Sequence, residues 1–254
     1  PNYVSDAMRE RWNIAHLEAR MRQNLNGQSR VFFTTQNERD KNETFSVYDT
    51  RDGYMVNGRP VVSPSLNMRQ MQVQYERGIA YATTEFIQLL DHTARVMKKK
   101  YPETIMYLGN LGLRDGGDIP YSISHNSGRD GDIAFYMKDE NGAFYHPQNM
   151  YKMNRRFQTK ANPKITFDLE KNTTLIETLL TQKVAPIQFI FVVRHLRSAI
   201  RRELVARGAT EELLARFDET VAEQAAHDDH FHIRIYCSDD DICAGCNDRS
   251  IIHP

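Results

Sequence analysis

Two short stretches hold four of the nine histidines of this 254-residue chain. The first, "SISHNSGRDGDIAFY" at 122–136, sets His125 seven positions ahead of Asp132, after which an apolar run begins. The second, "HDDHFHIRIYC" at 227–237, carries His227 and then His230 and His232 as an H-x-H pair. Side chains alternate between the two faces of a strand, so Phe231, Ile233 and Ile235 share one face and His230, His232, Arg234 and Tyr236 the other. By the same rule Ile133 and Phe135 turn inward, and Asp132 and Ala134 turn the opposite way. If the two strands adjoin, Asp132 and the histidine pair converge, with His125 delivered by the glycine-containing loop before it. Two imidazoles and one carboxylate with an open fourth position form the ligand pattern of a catalytic zinc site. Asp228 and Asp229 stand close enough to orient an imidazole from behind. H-x-H alone is a weak signal, since such pairs are more often solvated surface groups.

The elements that must position these residues can be read from periodicity. Residues 5–24 have apolar positions at near-helical spacing behind Ser5, a plausible N-cap, and predict a helix. "RVFFTT", "TFSVYDT" and "GYMVNGRPVV" predict short strands, the last two flanking the turn "TRDGY". From Tyr75 to Lys99 the apolar positions predict one long amphipathic helix, ended by Pro102. "TIMYLGNLGL", "DIAFYM" and "APIQFIFVV" read as core strands, and "RDGGD" as a glycine-rich turn. Residues 138–166 read as a long polar surface loop of the kind that shapes a cleft. "FDLEKNTTLIETLLTQ", "HLRSAIRRELVARG" and "TEELLARFDETVAEQAAH" predict three helices, and "HFHIRIY" a final strand. Strands and helices interleave without a βαβ rhythm, which favours an α+β fold built on a mainly antiparallel central sheet flanked by helices.

Composition adds constraints. Lys and Arg together number 33, as do Asp and Glu, so net charge argues for neither nucleic acid nor an anionic membrane as the main partner. No apolar run approaches the roughly 20 residues of a membrane span, and the start lacks a signal core, so either the chain is cytosolic or a signal has been removed. The three cysteines crowd into "CSDDDICAGC", compatible with a small disulfide loop and one spare thiol, or with a metal site. His16, His92 and His195 fall on helix-like segments without partners, and nothing requires His146 to act.

"SHNSGRDGDI" followed about a hundred residues later by "HDDHFHIRIYC" resembles the two signatures of the penicillin-insensitive murein endopeptidases. These belong to a zinc peptidase group, the LAS type, that includes D-alanyl-D-alanine carboxypeptidases and dipeptidases. The resemblance runs from about Thr104, through Gly116 and Gly117 and "FDLEKN" at 167–172, to about Cys243. It implies His125, Asp132 and His232 as zinc ligands, His230 as base or transition-state stabiliser, and His227 as a further site residue. The H-E-x-x-H glutamate is absent from the family and from this chain, which leaves proton handling to histidine. Ser122 stands where the family often has another histidine, and Thr173 where it has tryptophan, so an additional metal position that depends on that histidine lacks it here.

The resemblance implies a zinc-dependent endopeptidase for peptidoglycan stem peptides, cutting the D-alanyl to meso-diaminopimelate cross-link, with Arg234 or a loop cation holding a substrate carboxylate. Penicillin would not inhibit it, because no serine nucleophile is involved. The implied setting is the periplasm or the exterior, with a signal peptide removed, and in that oxidising setting a Cys237–Cys243 disulfide. Residues 1–75 would be an extension packed on a catalytic domain spanning 76–254. Three alternatives remain open: a carboxypeptidase or dipeptidase of the same group, a catalytically silent binder, and a cell-wall binding module whose structural zinc sits on Cys237, Cys243, Cys246 and His253.

Overall fold

The structure, a computed structural model, describes residues 44–63, 65–120 and 122–248. The helix expected over 5–24 and the strand at "RVFFTT" lie outside the described residues, as does His253. Chain order begins with the hairpin β1 (Phe45–Val47) and β2 (Tyr54–Val56), then β3 (Arg59–Pro60), β4 (Met68–Gln70), α1 (Gln72–Glu76), β5 (Tyr81–Ala82) and α2 (Thr84–Lys100). It continues with β6 (Met106–Leu108), β7 (Asp130–Ala134), β8 (Met137–Lys138), β9 (Phe144–Tyr145), β10 (Thr166–Phe167) and α3 (Leu169–Thr181). It closes with β11 (Ile187–Val192), α4 (Arg194–Ala206), α5 (Glu211–Thr220), β12 (Val221–Glu223), β13 (His230–Ile235) and α6 (Asp239–Cys243). The described residues therefore form a mixed chain of several sheets and six helices.

Six strands make the central sheet, in the order β12-β11-β13-β7-β6-β4. Its four inner strands pair antiparallel, and only the edge pairs β12/β11 and β4/β6 are parallel. One face of this sheet is covered by helices. Phe86, Leu89, Leu90 and Met97 of α2 and Leu175 and Leu179 of α3 share a core with Ile133, Phe231 and Ile233, all essentially free of solvent. Gly131 lies in the middle of β7 because α2 approaches closely there: a Cβ at that position would stand 2.4 Å from the Phe86 ring and 2.6 Å from Leu111. The end of β7 is fastened to α3 by Asn172, whose side chain accepts from Tyr136 N (2.9 Å) and donates to Tyr136 O (2.7 Å).

Three predicted elements come out differently. The long helix expected over 75–99 is two helices, because Gly78 takes a left-handed φ of 71° and the chain runs through β5 before Thr83 caps α2. The helix expected over "TEELLARFDETVAEQAAH" stops at Thr220, since Val221–Glu223 pairs with the edge of β11 and tertiary pairing outweighs helical periodicity. The polar stretch 138–166 is bracketed by a small three-stranded sheet, β10-β8-β9, rather than being loop throughout. The expected boundary at residue 75 runs through α1, and β4 ahead of it is a strand of the central sheet.

The cysteine pairing also differs. The disulfide joins Cys237 to Cys246, with Cα atoms 6.0 Å apart, and the expected Cys237–Cys243 bond is not formed. Ser238 and Asp241 form a capping box that starts α6, which leaves Cys243 exposed on its last turn. Gly245, with a φ of 90°, then folds Cys246 back beside Cys237. A structural zinc on all three cysteines is thereby ruled out. The same corner receives the β1–β2 hairpin: Tyr48 N donates to Gly245 O at 3.2 Å and Ser46 N to Asp241 Oδ1 at 2.6 Å. The buried Arg129 guanidinium ties the region together, donating to Ser46 Oγ (3.0 Å), Ile235 O (2.8 Å) and Asp248 Oδ1 (2.8 Å).

Unreduced protein should therefore present one reactive thiol, and Cys243→Ala should abolish it. Cys246→Ala should instead expose two and cost roughly 2–3 kcal/mol of stability, as expected for opening a loop of this length. Thiol titration with urea unfolding checks both, and labelling that survives Cys243→Ala would reverse the assignment.

Candidate metal centre

The register of β13 against β7 builds the site. His230 pairs with Ala134, His232 with Asp132 and Arg234 with Asp130, so each of these side chains leaves the sheet on the face away from the helices. His125 arrives from the preceding loop with a left-handed φ of 79°, its backbone N–H held by Asp130 Oδ2 at 3.2 Å. The next residue fixes that loop to the hairpin turn. Asn126 N donates to Thr50 O at 3.1 Å, and the Asn126 side chain donates to Arg51 O and, at 2.6 Å, to Asp118 Oδ1.

Asp132 Oδ1 is the hub. His125 Nε2 and His230 Nε2 stand 3.4 Å from it and His232 Nδ1 3.1 Å, yet this buried oxygen accepts no hydrogen bond of sound geometry. A tetrahedral ion with bonds of about 2.0–2.1 Å holds its ligands about 3.3 Å apart. The spacing is therefore that of groups arranged around a common centre, and the ligand atoms of His125, Asp132 and His232 all lie within 4.8 Å of one another. His227, His230 and His232 form a second such trio, sharing His232. Burial separates the two sets: His125, Asp132 and His232 are buried, whereas His227 and His230 are half-buried along a cleft. A metal ion fits the first set in donor chemistry and spacing.

Electrostatics follow from these contacts. Burial works against charge on His232, but Asp130 and Asp132 outweigh it and raise its pKa to about 9. Burial likewise opposes charge on His230, where Asp132 and then Asp229 raise the pKa above the ordinary value. His227 goes the other way, to about 3, because burial and the imidazoles of His232 and His230 outweigh Asp132. Both aspartates are buried, which favours their neutral forms, yet Arg234 with His232 for Asp130, and His230 with His125 for Asp132, hold them well below the carboxylate range.

Of the acidic pair expected to orient an imidazole, Asp229 does so, with Oδ1 2.6 Å from His230 Nδ1. Asp228 instead meets Lys160 at 2.9 Å, while its carbonyl accepts from Met153 N at 2.7 Å. Sequence reading missed Asp130, whose Oδ1 lies 3.4 Å from His232 Nε2, although alternation through "DGD" already puts it on the face of Asp132. Arg234 lines the cleft, but its guanidinium is engaged by Asp130, Nε–Oδ1 at 2.6 Å and Nη2–Oδ2 at 3.0 Å. His195 and His146 stand apart from the cleft; His146 Nδ1 meets the Tyr107 hydroxyl at 2.9 Å.

The shifts of His232 and His227 together favour the metal-free fold most near pH 6.5. A raised His232 contributes stability that is complete below about 6.5 and is lost as pH climbs through about 9. A depressed His227 contributes stability that is complete above about 6.5 and is lost as pH falls toward about 3. Urea unfolding of chelated protein across this range should trace a dome, and a curve rising monotonically to pH 9 would contradict the placement of His232.

The geometry of a buried two-histidine, one-aspartate centre with two further histidines at its mouth now meets the comparison with known proteins. No curated protein matches the chain. A sequence profile of the family described as penicillin-insensitive murein endopeptidase matches residues 50–253, covering β2 through β13 and every residue of the site. This chain belongs to the penicillin-insensitive murein endopeptidase family.

Proposed function

We propose that the protein is a zinc-dependent peptidoglycan D,D-endopeptidase with the LAS-type fold, hydrolysing the D-alanyl to meso-diaminopimelate cross-link outside the cytoplasm. The observation that carries this reading is the convergence of three ring nitrogens within 3.4 Å of one unsatisfied buried carboxylate oxygen, in a chain of a murein endopeptidase family. His125, Asp132 and His232 would hold the ion. A zinc ion there supplies Lewis acidity, polarising the scissile carbonyl and acidifying the attacking water.

The chain's own groups complete the chemistry. Asp229 fixes the His230 ring through Nδ1, which leaves Nε2 facing the centre. His230 is thereby oriented to take a proton from water and return it to the departing amine as the peptide C–N bond breaks. His227, kept neutral by burial, meets the His230 ring edge-on at 5.0 Å and bounds the room in which that ring can turn. Asp130 restrains His232 from behind, as a carboxylate does for a ligating imidazole. Among the described residues no helix is long and apolar enough to cross a membrane.

Cross-linked muropeptide dimers incubated with the protein should yield monomers with a new D-alanyl carboxylate and a new amine, and a chelator should stop this. Full hydrolysis after verified metal depletion would refute the reading. His125→Ala, Asp132→Ala and His232→Ala should each lose bound zinc. His230→Ala should keep the zinc and lose about 10² to 10⁴ in turnover. Zinc loss in His230→Ala, or near-normal turnover, would break that division of roles.

A further inference from the structure

Two guanidinium groups line the cleft, those of Arg51 and Arg234. Arg234 is buried, and its Nε/Nη2 edge is bound to Asp130. Arg51 differs in every respect. It is half-buried, and its side chain has no ion-pair or hydrogen-bond partner among the described residues, whereas its backbone is held from both sides. Asp49 Oδ1 accepts from Arg51 N (2.9 Å) and Asp52 N (2.8 Å), forming an Asx turn, and Arg51 O accepts from the side chain of Asn126. Asn126 directly follows His125. A free cation thus projects from a base locked to the loop that carries one of the metal-site histidines. Of the two acids lining the cleft, Glu223 meets Arg194 at 3.4 Å and Asp132 is surrounded by histidines, and neither is paired with Arg51.

We propose that Arg51 is a specificity-determining residue that binds the substrate carboxylate on the carbon bonded to the scissile nitrogen. This rests on the proposed peptidase reading. In a D,D bond the residue on the amine side, whether diaminopimelate or a terminal D-alanine, bears a free carboxylate at that carbon. A planar guanidinium with its fork unoccupied matches such a group in shape and charge, and its fixed backbone limits the entropy lost on binding. Arg234 has its Nε/Nη2 edge committed to Asp130, and giving that edge to a substrate would leave a buried carboxylate unpaired. The β1–β2 hairpin bears no motif, yet its turn then sets the distance between the bound carboxylate and the metal site.

The test compares muropeptides carrying that carboxylate free or as the amide. Dissociation constants are measured by calorimetry on the chelated protein, and kcat and KM on the zinc-loaded protein. Wild type should favour the acid by about 10- to 100-fold, in Kd and KM more than in kcat. Arg51→Ala and Arg51→Gln should bring the acid-to-amide ratio to about one, and Arg51→Lys should retain part of it. Two different substitutions guard against a folding defect in either, with thermal unfolding recorded for both. A preference that survives both substitutions, or a wild type that cleaves acid and amide equally, overturns the role of Arg51 and leaves the peptidase reading intact. A wild type that neither binds nor cleaves any muropeptide overturns both.

Discussion

Everything at this site depends on the register of two antiparallel strands. With β13 set so that His232 faces Asp132 and Arg234 faces Asp130, two acids meet two bases on one side of the sheet while Ile133, Phe231 and Ile233 enter the core on the other. A slip of one residue would bury the histidines against α2 and turn the phenylalanine toward solvent, so the hydrophobic core enforces the chemistry. The pairing also explains why a charged pair as costly to bury as Asp130–Arg234 is tolerated. The carboxylate has its fork filled by Arg234, accepts from the His125 backbone, and faces His232, so no part of its charge is stranded.

Around that frame the charges are graded from inside outward. Asp130 is fully engaged; Asp132 is surrounded by imidazoles but accepts no sound hydrogen bond; His230 is held by Asp229; His227 is neutral. The graded arrangement leaves a buried oxygen of the cleft lining with unmet bonding capacity beside imidazoles, a donor set that suits a borderline cation better than a hard one. In the metal-free chain the buried carboxylates of Asp130 and then Asp132 overcome the burial of His232 and push it up to about 9.

Much of this was legible in the amino-acid order. Period-two alternation gave the facing of every side chain on β13 and β7, and the apolar run at 185–193 marked β11. "FDLEKNTTLIETLLTQ" marked α3, which Asp168 caps. The misses share a cause. The pairing of β5 with β3 before α2, the conversion of Val221–Glu223 to a strand and the addition of β10 to the β8–β9 hairpin all involve partners distant in the chain. Local periodicity carries no information about such partners. The cysteines failed for another reason: spacing allows either pairing, and only the capping box at Ser238 with the reversal at Gly245 selects Cys246. Arg51 was invisible because a lone arginine in a turn has no pattern, and its significance comes from having nothing to bind.

The buried guanidinium of Arg129 joins positions 83, 106 and 119 residues away along the chain. β13, the last strand in chain order among the described residues, inserts between β11 and β7 at the middle of the sheet. A ribosome releasing this chain from its N-terminal end therefore produces no partial hydrolase: neither the centre of the sheet nor the metal site can close until the final strand and the Asp248 region have emerged. Assembly of the site thus waits until β13 has emerged, a timing set by topology.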